Sequence, residues 1–325
     1  MRPPGPRRGR MDLAIESTDL VKRYPHSKKG QFALDHVSLA IPRAGVYGLI
    51  GRNGAGKTTF VRICATQLEA TSGSVRVLGY DALHDPRPVR ERIASVPQES
   101  RPLYFLTVDE LVFLYLRMRG MERTDARRRT NAVLEELQLT PVRRTIVNRL
   151  SGGMRRRAMV AMVLASDAEV LFLDEPTTGL DPLARREVWA AIRRASREKR
   201  TVLLTTHYLD EAEELSARLA LLENGRVVLE GTPAELRARS SYPYRVTLDR
   251  VLPRSSLDGY GSVSDIEGGY LVFAREKEAR ELSMVALSQG ARVSMGPVSL
   301  EDIFLQVVGR PLTTDDESEK AEADA

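Results

Sequence analysis

Short apolar runs alternate along the chain with segments that have the spacing of amphipathic helices. GVYGLIG at 45–51 precedes GKTTFVRICATQL at 56–68, and EVLFLD at 169–174 precedes REVWAAIRRASRE at 186–198, after which comes TVLLTTH at 201–207. Apolar, β-branched runs separated by helices are typical of parallel strands joined by crossover helices. The pattern therefore predicts an α/β fold with a mostly parallel sheet and helices on its faces.

A different spacing occupies the region between Pro102 and Leu139, where helical patterns follow one another without a strand-like run. Thr107 and Glu110 have the T-x-x-E spacing of a capping box, and Gly120 follows the apolar positions of the first helix. A capping box satisfies the free N–H groups at a helix start, and glycine commonly follows a helix end. We therefore predict a helical subdomain at about residues 100–165, inserted into the sheet domain.

Composition suggests where the domains begin and end. A segment rich in Ser, Pro and Arg near Arg239 predicts a boundary between a main domain at 11–238 and a small α+β accessory domain at 241–310. YRVTL and GYLVFA are strand-like pieces of the latter. Residues 1–10 carry four arginines, whereas residues 311–325 contain six acids and one lysine. Such charged, apolar-poor segments favour disorder, so we expect a basic leader and an acidic tail, with Met1 or Met11 as the initiating residue.

The bulk composition argues against a disulfide-bonded protein and against a membrane-spanning one. Of the 325 residues, 42% are hydrophobic, which is enough for a large core. Cys64 is the one cysteine, so we expect no disulfide framework and a reducing compartment. The longest apolar run, Ala158–Ala165, is far shorter than the roughly 20 residues that cross a bilayer. A net charge of +5 suits either an anionic partner or an ordinary solvated surface.

GRNGAGKTT at 51–59 matches the phosphate-loop pattern G-x-x-x-x-G-K-[ST] and stands between a predicted strand and a predicted helix. Small residues let backbone N–H groups face phosphate, and the helix N-terminus favours the same negative charge. Lys57 would reach the β- and γ-phosphates of a nucleoside triphosphate, and Thr58 would ligate Mg²⁺. The candidate phosphate-binding residues are Gly51, Asn53, Gly54, Ala55, Gly56, Lys57, Thr58 and Thr59.

Two adjacent carboxylates end the apolar run in VLFLDEP at 170–176. Asp174 is suited to holding Mg²⁺, and Glu175 is suited to polarising the water that attacks the γ-phosphate. A positioned base contributes roughly 10²- to 10⁴-fold to a reaction rate. These residues and the phosphate loop leave many classes of nucleoside triphosphatase open.

LSGGM at 150–154, shortly before LFLDEP, narrows the choice because this order resembles the ATP-binding-cassette (ABC) ATPases, whose signature loop usually reads LSGGQ. The resemblance covers about Met11 to Leu236 and implies ATP and Mg²⁺ as ligands. It implies that Gln98 touches Mg²⁺ or the attacking water and that His207 contacts the γ-phosphate. Asp181, in TGLDP, matches a further aspartate of the nucleotide site. Tyr24 matches the aromatic residue that stacks on adenine, a role for which Phe32 is the alternative.

The signature loop also implies two copies of the chain. The resemblance implies that Ser151, Gly152 and Gly153 of one chain would cap the γ-phosphate of ATP held by the other chain. Two chains would then close head to tail on two ATP molecules. Met154 stands where glutamine is common and resembles signature loops of drug exporters. For Arg155, Arg156 and Arg157 we favour a solvated helix flank over the alternative of a basic face near ATP or the partner.

A separate membrane permease is the partner that the resemblance implies, with the ATPase cytoplasmic and peripheral on the inner face of the membrane. VSLEDIFLQVVG at 298–309 resembles the closing segment of ATP-binding subunits of the daunorubicin-resistance type, which favours export of a drug, antibiotic or other hydrophobic solute. One alternative is an ABC ATPase that drives a membrane complex without transport. Another is a soluble ATPase acting on ribosomes or DNA, but one cassette without heptad runs does not favour it, and we expect no nucleic acid partner.

Overall fold

The computed structural model describes residues 12–25, 31–96, 105–249 and 251–308. The chain divides into two compact units, and the division falls between Glu230 and Gly231. The predicted boundary near Arg239 lies farther along the chain. The predicted leader at 1–10 and tail at 311–325 lie outside the described residues.

Ten strands and seven α-helices fall within residues 12–231 of the described chain, in the order β1 Leu13–Lys22, β2 Leu34–Pro42, β3 Gly45–Ile50, α1 Lys57–Cys64, β4 Ser72–Val77, β5 Tyr80–Asp81, α2 Pro86–Arg92, β6 Ile93–Val96, α3 Val108–Met118, α4 Arg123–Glu136, α5 Gly152–Ala165, β7 Val170–Asp174, α6 Pro182–Arg197, β8 Thr201–Thr206, α7 Leu209–Leu215, β9 Arg218–Glu223 and β10 Arg226–Gly231. The remaining described strands and α-helices are α8 Pro233–Ala238, β11 Tyr244–Asp249, β12 Ser262–Ile266, β13 Gly269–Ala274, α9 Glu276–Ser288, β14 Val293–Pro297 and α10 Leu300–Val308. Strands and helices alternate through most of the first unit, as the sequence predicts.

The central sheet has the strand order β10-β9-β3-β8-β7-β6, and its pairs β9-β3, β3-β8, β8-β7 and β7-β6 are parallel. Every residue of β7 is buried. Leu171 and Leu173 enter the core on one face, while Val170 and Phe172 enter the core on the other. This alternation follows from the two-residue period of a strand. The structure confirms the predicted α/β class with a mostly parallel sheet.

An antiparallel sheet of order β2-β1-β4-β5 covers one side of the central sheet. Phe60 and Ile63 of α1 lie in this core between the two sheets. The helix ends at Cys64, which is earlier than the apolar spacing to 68 predicts. Thr66 has a φ of 60°, in the left-handed region, so the backbone turns away from the helical path.

Helices α3, α4 and α5 pack together as the predicted helical subdomain. Thr107 caps α3 as predicted: its Oγ1 accepts from Glu110 N at 3.2 Å, and Glu110 Oε2 accepts from Thr107 N at 2.9 Å. Gly120, with a φ of 87°, follows the end of α3. Local sequence signals therefore locate both ends of this helix.

The second unit contains an antiparallel sheet of order β12-β13-β11-β14. Helix α9 packs on this sheet, and Leu282 shares a buried cluster with Val246, Leu248 and Val272. Helices α8 and α10 contact each other. YRVTL and GYLVFA form β11 and β13, in agreement with the predicted α+β architecture.

Within the ranges that the structure describes, no helix combines the length and the apolar character needed to cross a membrane.

Phe172→Ala tests the contribution of the β7 core to stability. The side chain is fully buried beneath α1, so its loss is expected to lower the free energy of unfolding by about 3–5 kcal/mol. Urea denaturation of the full chain, followed by circular dichroism, measures the change. Met118→Ala, which truncates a side chain that is 83% exposed, is the control and should stay within about 0.5 kcal/mol of the wild type. Equal effects of the two substitutions would contradict the assigned core.

Candidate active site

The phosphate loop at 51–59 connects β3 to α1, and its glycines are required by space and by backbone conformation. Gly54 and Gly56 have φ values of 78° and 109°, in the region that favours glycine. A Cβ at Gly51 would lie 2.3 Å from Leu222 O, and one at Gly56 would lie 2.3 Å from Ala33 O. The loop leads directly into the N-terminus of α1, which begins at Lys57 and has the polarity that attracts anions.

Lys57 is buried, with 5% of its surface exposed. Its Nζ donates to Gly51 O at 2.7 Å and to Arg52 O at 3.1 Å. The same Nζ lies 3.6 Å from Glu175 Oε1, which forms an ion pair between the phosphate loop and the end of β7. The phosphate loop therefore holds the Lys57 ammonium group beside Glu175, the candidate catalytic carboxylate.

Glu175 follows β7 with a φ of 49°, an uncommon value for a residue other than glycine. Its N–H points to Thr205 O and Thr205 Oγ1, both at 3.1 Å. His207 Nδ1 lies 3.3 Å from Glu175 Oε1, and Thr178 Oγ1 donates to Oε2 at 3.3 Å. Burial raises the pKa of Glu175, but the His207 contact and the Lys57 charge outweigh burial and leave this pKa below its ordinary value. The carboxylate is therefore ionised and available as an acceptor at neutral pH.

Asp174 differs from its neighbour although the two carboxylates are adjacent in sequence. Its Oδ1 accepts from Thr205 Oγ1, and its Oδ2 is buried with no hydrogen-bond partner among the described residues. Burial raises the pKa of Asp174, and the hydroxyls of Thr205 and Thr58 offset this only in part. An oxygen of this kind is suited to a hard cation such as Mg²⁺.

The signature loop begins α5, with Ser151 as the N-cap. Ser151 Oγ accepts from Met154 N at 3.2 Å. A Cβ at Gly153 would lie 2.9 Å from Gly179 O, so the loop approaches the segment after Glu175 closely. A cavity of about 670 Å³ lies between the two and is lined by the loop, Glu175 and Asp181.

Arg156 and Arg157 contradict the predicted solvated flank. Arg156 donates to the backbone oxygens of Asp174 and Glu175, and Arg157 Nη1 lies 3.2 Å from Glu187 Oε2. The prediction is wrong because the first turns of α5 face the end of β7 and α6. The adjacent Arg155 donates to Leu150 O at 3.4 Å.

Asp181 caps α6 at the rim of the same cavity. Its Oδ1 accepts from Ala184 N and Leu183 N, both at 3.0 Å. The hydrogen bond from Ala184 lowers the pKa of Asp181 most, and the bond from Leu183 adds to this effect. The aspartate is therefore held in place by the helix that follows it.

Tyr24 lies beside the phosphate loop, where its OH is 3.3 Å from Thr59 Oγ1. The ring is 38% exposed, and Phe32 is 37% exposed, so both aromatic candidates present surface to solvent. Gln98, the third candidate metal ligand with Thr58 and Asp174, lies outside the described residues.

Several neighbours of the site were not predicted from sequence. Thr205 forms hydrogen bonds with both Asp174 and Glu175. The two threonines after the apolar run in TVLLTTH are a sequence signal that could have identified it. Thr178 lies three residues after Glu175, so its contact is local, whereas Arg156 reaches Glu175 only through the folding of the chain.

Comparison with known proteins identifies the family. The family described as ABC transporter matches residues 34–178. The daunorubicin/doxorubicin resistance ATP-binding protein DrrA of Streptomyces peucetius is 36% identical over 326 residues, which cover 95% of this chain and 96% of that protein. The chain belongs to the ATP-binding proteins of the ABC transporter family. ATP binding and ATP hydrolysis are therefore its activities.

Two further ABC proteins illustrate the extent of the similarity. The Nod factor export ATP-binding protein I of Paraburkholderia xenovorans is 33% identical over 308 residues, which cover 93% of this chain and 99% of that protein. A dimeric ATP-binding cassette in a post-hydrolysis state, bound to ADP and Pi, has a TM-score of 0.62 and 25% identity. The structural match covers 67% of this chain and 98% of the solved cassette. The predicted fold class is thus confirmed by solved ABC cassettes.

Thr178→Val tests the environment of Glu175. The hydroxyl of Thr178 helps to lower the pKa of Glu175, so its removal should raise this pKa. A carboxylate that must be ionised loses function as pH falls through its pKa, and the acid limb of kcat should therefore move to higher pH in the variant. Steady-state ATPase rates across the acid range measure the limb, with circular dichroism at each pH to verify folding.

Thr178→Ser retains the hydroxyl and is the matched control, for which the limb should stay near its wild-type position. A limb that stays in place in Thr178→Val, or moves to lower pH, would show that this hydroxyl does not set the ionisation of Glu175.

Proposed function

We propose that the chain is the ATP-hydrolysing subunit of an exporter, acting as two copies bound to a separate membrane permease. The observation that supports this most directly is the surroundings of Glu175. Lys57 Nζ and His207 Nδ1 lie 3.6 and 3.3 Å from Glu175 Oε1, and Glu175 lines the same cavity as the signature loop. The similarity to a daunorubicin/doxorubicin resistance ATP-binding protein along almost the whole chain favours a drug, an antibiotic or another hydrophobic solute as the cargo.

ATP would bind with its phosphates on the loop at 51–59. The loop N–H groups and the N-terminus of α1 supply donors and positive polarity, and Lys57 Nζ would exchange its bonds to Gly51 O and Arg52 O for bonds to the β- and γ-phosphates. Tyr24 lies close enough to Thr59 to place its ring against the adenine base. Asn53 and Ala55 complete the loop.

Mg²⁺ fits the donors at the end of β7. Asp174 Oδ2 is a buried oxygen that has no partner among the described residues, and Thr58 lies beside the same carboxylate. The ion would be held largely by phosphate and water oxygens, with Gln98 as a further ligand. When bound, Mg²⁺ supplies charge that neutralises the phosphate oxygens in the transition state.

Glu175 would orient the attacking water and accept its proton. Its lowered pKa keeps it ionised, and contacts with Thr178, His207 and Lys57 hold the carboxylate in one place. The water oxygen forms a bond to the γ-phosphorus while the bond from that phosphorus to the β,γ-bridging oxygen breaks, and ADP leaves with that electron pair. His207 would contact the γ-phosphate during this step.

The second copy would complete each site. Ser151, Gly152 and Gly153 present a helix N-terminus at the cavity, and Asp181 lies at its rim, so this surface can cap a γ-phosphate held by the partner. A similar cassette has been solved as a dimer in a post-hydrolysis state. We infer that the two chains close head to tail on two ATP molecules and open after hydrolysis.

A permease would hold the ATPase dimer at the inner face of the membrane. The similarity to a Nod factor export ATP-binding protein over 99% of that protein supports export as the direction. The helical subdomain at about residues 100–165 is the surface that we expect the permease to contact.

Glu175→Gln tests the two-copy arrangement. The substitution should lower the ATPase rate by at least about 100-fold, because the amide cannot accept the proton. ATP then remains bound, and the variant should accumulate as a dimer in Mg-ATP but not in Mg-ADP. Light scattering coupled to size exclusion measures the mass.

Glu175→Gln combined with Gly153→Val is the matched control, since a side chain at Gly153 would collide with Gly179 O and displace the signature loop. The double variant should remain monomeric in Mg-ATP. A monomeric Glu175→Gln protein in saturating Mg-ATP would contradict the head-to-tail arrangement.

Reconstitution tests the export function. The chain is expected to co-purify with a membrane protein encoded beside it, and the complex in vesicles should move daunorubicin in an ATP-dependent manner. The same complex carrying Glu175→Gln should lose at least about 90% of this transport, because hydrolysis drives it. ATPase activity that is indifferent to any membrane protein would refute the transporter assignment, whereas activation without movement of solute would favour a membrane complex that does not transport.

A further inference from the structure

Arg156 connects α5, the helix that begins at the signature loop, to the backbone of Glu175, the candidate catalytic residue. It lies in α5, five residues after Ser151. Its Nη2 donates to Glu175 O at 2.8 Å and also to Asp174 O, and its Nε donates to Glu175 O at 3.2 Å. Two consecutive carbonyl groups are thus held by one planar guanidinium.

The backbone that Arg156 holds has an unfavourable conformation. Glu175 has a φ of 49°, and left-handed conformations of residues other than glycine cost about 1 kcal/mol or more unless their surroundings fix them. Thr205 fixes the N–H side of this residue, and Arg156 fixes its carbonyl side. The two contacts together determine where the Glu175 side chain leaves the backbone.

The charge around Arg156 explains why a cation is tolerated there. Burial lowers the pKa of Arg156, and the carboxylates of Asp174 and Glu175 oppose this effect. The guanidinium therefore remains charged and compensates part of the negative charge at the end of β7. Its fork of N–H donors fits two carbonyl oxygens at once, which a lysine ammonium does not reproduce.

We infer that Arg156 is a positioning residue for hydrolysis, which ties the conformation of Glu175 to the helix that begins at the signature loop. The inference rests on the proposed roles of Glu175 and of Ser151–Gly153. The signature loop of one chain caps ATP in the partner, while Arg156 of the same chain holds the backbone of Glu175 in its own ATP site. Arg156 therefore couples the two nucleotide sites through one helix.

The kinetic consequence is specific. Arg156→Gln should lower kcat by about 10- to 100-fold, because displacement of a catalytic group by about 1 Å has an effect of this size. Nucleotide affinity, measured with a fluorescent ATP analogue, should change by less than about twofold, since Arg156 does not belong to the phosphate loop. Arg156→Lys should recover only part of kcat, because it restores the charge without the fork.

A double-mutant cycle distinguishes positioning from general stabilisation. Once Glu175 is replaced by Gln, a contact that acts through Glu175 has little left to position, so Arg156→Gln should lower the residual rate by less than about twofold. Arg128→Gln, which removes a guanidinium that is 76% exposed in α4, is the matched control and should leave kcat and affinity unchanged. Thermal unfolding of each variant verifies that it is folded at the assay temperature.

The results separate the inference from the proposed function. If Arg156→Gln retains wild-type kcat, or if it slows wild type and Glu175→Gln by equal factors, the positioning role is wrong. If Glu175→Gln itself retains wild-type activity, the proposed role of Glu175 fails first. A lower kcat with unchanged affinity, partial recovery by lysine and loss of the effect in the Glu175→Gln background would support the inference.

Discussion

Three parallel strands of the central sheet end at the same edge, and the ATP site depends on their register. Ile50 pairs with Thr206, and Asp174 pairs with Thr205, so the segments that follow β3, β7 and β8 are neighbours although they are far apart in sequence. The phosphate loop follows β3, Asp174 ends β7 and Glu175 follows it, and His207 follows β8. A shift of β7 by one residue would exchange its two faces, burying Phe172 in the wrong core and separating Asp174 from Thr205.

The two adjacent carboxylates, Asp174 and Glu175, have different environments. Glu175 faces Lys57 and His207, which hold its pKa below the ordinary value, whereas burial raises the pKa of Asp174 and leaves its Oδ2 without a partner among the described residues. Neighbouring groups whose environments move their pKa values apart are suited to different roles. In the proposed mechanism, Glu175 accepts the proton and Asp174 offers its Oδ2 to Mg²⁺. Neither role requires a difference in residue chemistry beyond one methylene group.

The sequence was sufficient where a feature depends on local spacing. The phosphate loop, the capping box at Thr107 and the carboxylates after β7 are set by neighbouring residues, and each occurs where its pattern predicts. The early end of α1 and the burial of Arg156 were missed, because they depend on a left-handed residue and on the packing of α5 against β7. A run of three arginines has the composition of a solvated flank, and only the tertiary contacts distinguish its members.

A buried carboxylate outside the catalytic centre shows how the remaining segments are joined. Glu211 is fully buried in α7 and accepts from Thr177 Oγ1 and Trp189 Nε1, both at 2.8 Å. These bonds join the helix after His207 to α6 and to the segment between Glu175 and Asp181. Arg156 joins the backbone of Asp174 and Glu175 to α5, and Lys57 joins Glu175 to the phosphate loop. We infer that a phosphate that draws Lys57 away would act on catalytic segments that these contacts connect, and that a bound nucleotide could affect the signature loop in this way.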